Sequence, residues 1–78
     1  MSDRPVKRSL TLRGHRTSVS IEDEFWQAFR DIARSEGRAI NELAAQIDEA
    51  RDGATGLATA IRLYVLRHYK ERAAQQSP

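Results

Sequence analysis

Arg16, Ser18 and Ser20 stand two apart in Arg16-Thr17-Ser18-Val19-Ser20-Ile21, alternating with Thr17, Val19 and Ile21. In an extended strand that period puts the first three side chains on one face and the other three on the opposite, core-seeking face. On the polar face, a guanidinium can donate two parallel hydrogen bonds to guanine O6 and N7, worth about 1 to 3 kcal/mol of discrimination against a wrong base. The two hydroxyls can donate or accept. The plainer alternative is a solvated arginine beside serines that are ordinary on any exposed strand. Lys7, Arg8 and Arg13 precede this stretch, and such cations suit phosphate neutralisation, which fixes register without reading sequence.

Other polar residues carry less. His15 and His68 are far apart and neither has a second ligand at metal spacing, so no metal site is expected. His15 suits a turn, as a backbone hydrogen-bonding group or a phosphate contact. His68 suits the edge of a dimer core or the negative C-terminal end of its helix. Asn41 lies near the start of a second helix, where free backbone N–H groups can hold a phosphate, and Glu42 beside it works against an anion. Glu22-Asp23-Glu24 complements the positive end of a helix dipole. With no nucleophile–base pair and no glycine-rich phosphate loop, neither catalysis nor a cofactor is expected.

Seventy-eight residues make one domain, and a chain this short buries only about 60% of its unfolded surface. It has no cysteine, so neither a disulfide nor a thiolate metal site can reinforce the core, and oligomerisation is the remaining ordinary route. The longest apolar run is far short of a membrane span, and Met1–Lys7 is polar with no hydrophobic region behind it. No membrane or signal peptide is therefore expected, and the chain is placed in the cytoplasm. The net charge of +2 is unevenly spread: residues 1–16 carry +4, residues 17–52 carry −5 and residues 53–78 carry +3. A basic segment joined to a strand is the electrostatic footprint of a polyanion binder, and a solvated basic tail is the bland alternative.

The elements follow from periodicity. Residues 1–7 read as a disordered basic arm and residues 73–78 as a disordered tail, with one domain over 8–72 between them. Arg8–Arg13 alternates again, with Leu10 and Leu12 on one face and Ser9, Thr11 and Arg13 on the other. Gly14-His15 supplies a turn, so a hairpin with the following strand is one arrangement and an extended arm is the other. In either case the Arg16–Ile21 strand needs a partner, from residues 8–13 or from another copy of the chain. A first helix opens at about Glu22 with Phe25, Phe29, Ile32 and Ala33 as its buried stripe and Trp26 at its border, and ends at Ser35-Glu36-Gly37. A second helix carries Ile40, Leu43, Ala44 and Ile47. After Gly53–Gly56, with Thr55 as the expected cap, a third helix runs from Leu57 to about Arg72. Its apolar stripe is wide, through Leu57, Ile61, Tyr64, Val65 and His68 and on to Leu63, Leu66 and Tyr69, which suggests burial on two sides.

A polar-faced strand, a helix within two residues of it, a glycine turn and a second amphipathic helix resemble the ribbon-helix-helix DNA-binding family over residues 16–47. Gly14-His15-Arg16-Thr17-Ser18, followed by Phe25-Trp26, is similar to a subgroup of short bacterial proteins with that domain. The resemblance implies two chains whose strands pair into a ribbon that enters the major groove, with Arg16, Ser18 and Ser20 as base readers. The implied fold class is mainly α with a short β ribbon, a ribbon-helix-helix-like dimer with an additional C-terminal helix. Ala58-Thr59-Ala60-Ile61-Arg62-Leu63-Tyr64 also resembles a second helix of the family, so residues 39–52 are either that helix or an insertion.

Two readings follow. In the first the chain is a homodimeric, sequence-specific binder of double-stranded DNA and a transcriptional regulator, with Arg16, Ser18, Ser20, Arg13, His15, Lys7, Arg8 and Asn41 as its contacts. In the second it is an antitoxin-like or adaptor module that captures a protein partner through the C-terminal helix.

Overall fold

The computed structural model describes residues 4–76. Two strands, β1 (Val6–Leu12) and β2 (His15–Ile21), precede three helices, α1 (Asp23–Ser35), α2 (Ile40–Ala50) and α3 (Leu57–Gln76).

β1 and β2 pair antiparallel within one chain, with Val6 against Ile21, Arg8 against Val19, Leu10 against Thr17 and Leu12 against His15. Of the two possible partners for β2, the chain supplies its own, so strand pairing alone does not demand a second copy. The turn is Arg13-Gly14, with φ of 51° and 85°. Positive φ at both central residues marks a type I′ turn, whose twist matches that of the flanking strands. The turn thus falls one residue earlier than Gly14-His15, with glycine in its second central position, and His15 becomes the first residue of β2. β1 likewise begins at Val6 instead of Arg8, because Val6 and Lys7 find partners in Ile21 and Ser20. Residues 1–3 of the expected arm lie outside the described residues.

Cross-strand partners share a face, so Arg8, Leu10, Leu12, Thr17, Val19 and Ile21 point inward. Leu10, Val19 and Ile21 are buried there and Leu12 is half-buried. Thr17, expected in the core with Val19 and Ile21, is exposed. It opens on a cleft under the hairpin tip, beside Leu12, Ala45 and Leu57, that no helix fills.

α1 starts with Asp23 and Glu24 in its first turn, where the helix dipole favours carboxylates. It buries Trp26, Phe29, Ile32 and Ala33. Trp26 and Phe25 thus exchange the places expected of them: Trp26 is buried and Phe25 is half-buried. The helix closes at Gly37, with φ of 66°. The Arg38 N–H donates to the Ala33 carbonyl at 2.9 Å and the Gly37 N–H to the Arg34 carbonyl at 3.1 Å, the double closure that a left-handed glycine permits. α2 contributes Leu43, Ala44 and Ile47 to the core, and α3 contributes Ile61 and Val65.

Gly56, not Thr55, precedes the first turn of α3, where its carbonyl accepts from the Ala60 N–H at 3.0 Å. The Thr55 carbonyl is instead held by the Arg51 guanidinium at 2.8 Å. α3 continues to Gln76, past the expected end at Arg72, and residues 77 and 78 lie outside the described residues.

Candidate nucleic-acid interface

The two-residue turn makes Leu12 and His15 the closing hydrogen-bonded pair, and the alternation then turns Lys7, Ser9, Thr11, Arg16, Ser18 and Ser20 away from the core. All six are exposed. They face one another across the ribbon as Lys7 with Ser20, Ser9 with Ser18 and Thr11 with Arg16. The surface therefore consists of two cations and four hydroxyls. No Asp or Glu occurs anywhere between residues 4 and 21.

Seven residues per strand give a ribbon roughly 20 Å long, and a two-stranded ribbon fits a major groove about 12 Å wide. The chemistry available on this face is hydrogen bonding to base edges from Arg16 and the hydroxyls, with Lys7 placed to neutralise a phosphate.

Of the residues singled out in the sequence, Lys7, Arg16, Ser18 and Ser20 come together on this face. Arg13 lies in the turn, where its guanidinium donates to Glu49 at 2.6 Å in a pair whose side chains are 67% and 55% exposed. Pairs so exposed are worth about 0 to 1 kcal/mol, so this one can exchange for a phosphate. His15 is exposed beside the turn. Arg8 and Asn41 are elsewhere engaged. Arg8 lies on the inner face, with its guanidinium 5.5 Å from the centre of the Trp26 ring and 2.8 Å from the Asp23 carboxylate. The Asn41 side chain accepts from the Thr11 N–H at 3.1 Å, so it occupies an outward amide of β1.

Ser9 and Thr11 were not among the expected contacts, although they share the polar face. Their signal is the alternation of β1, which sets them on the face opposite Leu10 and Leu12, and the Arg13-Gly14 loop then places them across from Ser18 and Arg16. Arg62 was missed as well. It donates to the Glu22 carboxylate at 2.7 Å and to the Ser20 carbonyl at 3.1 Å, tying α3 to the end of the ribbon. The Arg62 hydrogen bond is the main reason that the Glu22 carboxyl is held below the ordinary carboxylate range.

Among the described residues no group of three or more His, Cys, Asp or Glu is placed to hold a metal ion, and no described helix is long and apolar enough to cross a membrane. No curated protein and no solved structure matches the chain. A family model described as a ribbon-helix-helix domain matches residues 5–69, from the foot of β1 through most of α3. With an acid-free two-stranded ribbon set on a helical core and a match of that extent, the chain belongs to the ribbon-helix-helix domain family, a class of DNA-binding proteins.

Proposed function

We propose that the chain is a homodimeric, sequence-specific DNA-binding protein, a non-enzymatic transcriptional regulator of the cytoplasm that lays its ribbon in the major groove. The observation that carries this reading is the outer ribbon face, where two cations and four hydroxyls stand together without a carboxylate. Arg16, Ser18 and Ser20 read base edges, with Ser9 and Thr11 beside them. Lys7, Arg13 and His15 meet phosphates at the margins and tip. Arg8 and Asn41 act one step back, by holding the ribbon on α1 and α2. The test is a titration against a selected duplex and a random one at two salt concentrations. Affinity for both falls steeply with salt, because each neutralised phosphate contributes a slope of about −0.9 in log–log form. Failure to bind any duplex at low salt, or binding indifferent to salt, overturns the reading.

A protein-interaction module of the antitoxin or adaptor kind is the second reading. It is favoured by Leu63, Leu66 and Tyr69, which α3 leaves exposed. In that case duplex binding is weak and salt-sensitive without any preference between sequences.

A further inference from the structure

Arg13 and Glu49 both stand where local preference is against them, and they meet. Arg13 is the first central residue of the type I′ turn, with φ of 51°, a place taken readily by Asn, Asp or Gly and uncommonly by a long side chain. Glu49 lies in the last turn of α2, which holds no basic residue, at the end of the helix dipole that disfavours a carboxylate. Their contact is 2.6 Å long, with the arginine side chain 67% exposed. A pair so exposed stabilises by less than a left-handed backbone costs. Arg8 is the contrasting case, since its side chain is only 26% exposed and is packed over Trp26 as well as against Asp23. Local rules broken without a compensating gain in stability point to a use outside the fold.

We propose that in the DNA-free protein the Glu49 carboxylate holds the place that a phosphate takes on Arg13, so that duplex binding exchanges one anion for the other and Glu49 limits the affinity. This rests on the DNA-binding reading above. It adds a positioning residue that acts through Arg13 and touches no DNA.

A guanidinium fork accepts carboxylate and phosphate oxygens in the same geometry, so the two anions compete for it directly. The ribbon supplies no competitor of its own, because no Asp or Glu occurs between residues 4 and 21, and the carboxylate at its tip is brought there by α2. When Arg13 moves to a phosphate, Glu49 loses its cation and is left beside a polyanion. It then takes up a cation from solution, which cancels part of the counterion release that accompanies phosphate contact. Glu42 is a comparison within the same helix. It lies two turns before Glu49 on the same side of α2 and lines an open cleft with Thr11, Arg13 and Asn41, but it has no ion-pair partner among the described residues. Glu42 therefore acts on a phosphate through its field alone, whereas Glu49 also acts by holding Arg13.

The experiment titrates a selected and a random duplex, over a series of salt concentrations, with the wild type, Glu49→Gln, Glu49→Asp, Glu42→Gln and Arg13→Asn, and with each glutamine substitution combined with Arg13→Asn. Asparagine suits the turn, so Arg13→Asn keeps the hairpin and has a thermal midpoint at or above that of the wild type, while Trp26 fluorescence reports the core. Glu49→Gln tightens binding to both duplexes by about two- to five-fold for each tip that meets a phosphate, and its log–log salt slope is steeper than that of the wild type. Glu49→Asp keeps the carboxylate and stays close to the wild type. With Arg13→Asn in the chain, the gain from Glu49→Gln shrinks, whereas the gain from Glu42→Gln does not. A wild type that binds no duplex removes the DNA-binding reading and this inference with it. Where the wild type binds, unchanged or weaker affinity in Glu49→Gln overturns the exchange alone. A gain of the same size with and without Arg13 also overturns it and leaves Glu49 a distant repulsive charge. So does an Arg13→Asn chain that binds as tightly as the wild type.

Discussion

The side-chain amide oxygen of Asn41, Oδ1, accepts the Thr11 N–H at 3.1 Å, and so joins the first turn of α2 to the open edge of β1. Thr11 is one of the β1 residues whose backbone amide points away from β2, so without Asn41 this donor has only water. Asn41→Ala removes the one contact and should cost about 0.5 to 1.5 kcal/mol in chemical denaturation. It should also speed hydrogen exchange at the Thr11 amide. Asn41→Asp keeps the acceptor and should restore the protection. Unchanged exchange in Asn41→Ala would mean that the ribbon edge is held by something else.

Arg8 and Lys7 are adjacent cations with opposite duties, because successive strand residues face opposite ways. Arg8 is packed over Trp26 and paired with Asp23. A cation–π contact of about 0.5 to 1 kcal/mol or more and a partly exposed ion pair of similar size are lost together in Arg8→Ala. Its melting temperature should fall, whereas that of Lys7→Ala should not. Lys7→Ala should weaken selected and random duplexes alike and reduce the salt slope by about one. Arg16→Ala should instead cost about 1 to 3 kcal/mol on the selected duplex and much less on the random one. Equal losses on both duplexes for Arg16→Ala would remove its base-reading role.

Val19 is buried beneath the ribbon while Ser18 and Ser20 on either side are exposed. Val19→Ala should lower stability by about 1 to 3 kcal/mol through lost burial and an unfilled space. Ser18→Ala and Ser20→Ala should leave the thermal midpoint nearly unaltered and change DNA affinity or preference. The reverse pattern would show the two faces to be assigned the wrong way round.

Glu22 supplies a pH signature. Its carboxyl is held low chiefly by the hydrogen bond from Arg62, as that of Asp52 is by the Ala54 N–H. A carboxyl depressed in the folded state contributes stability that is fully present above its unfolded value and is lost as the pH falls through the folded one. Acid titration of stability should therefore show a decline below the ordinary carboxylate range. In Glu22→Gln that decline should be shallower, with the remaining part due to Asp52. An identical acid limb in the variant would count against the Arg62 contact as its origin.

Much of this architecture could be read from the chain, because its dominant signals are local. Period two separates the inward from the outward residues of β2, and the structure has Val19 and Ile21 in the core with Arg16, Ser18 and Ser20 outside. Period 3.6 located the three helices, and Gly37 marked the end of the first. Acids in the first turn of α1 and the uneven charge were equally plain. What the sequence left open were the choices between alternatives of similar local merit. Whether β2 pairs with its own chain, and whether the turn is Arg13-Gly14 or Gly14-His15, depends on how the hairpin settles on the helices, since either turn contains the glycine. That one-residue choice decides which residues stand across from Ser9 and Thr11, here Ser18 and Arg16, while the face they occupy follows from the alternation of β1 alone. Trp26 displaced Phe25 from the core because Arg8 and the inner ribbon face lie over it, a contact between residues 18 apart in the sequence. Thr17 has the alternation of a core residue but lies over an unfilled cleft. The engagement of Asn41 with Thr11, and of Arg62 with Glu22 and Ser20, arises only when distant elements pack together, because no local pattern records which backbone groups are left facing outward.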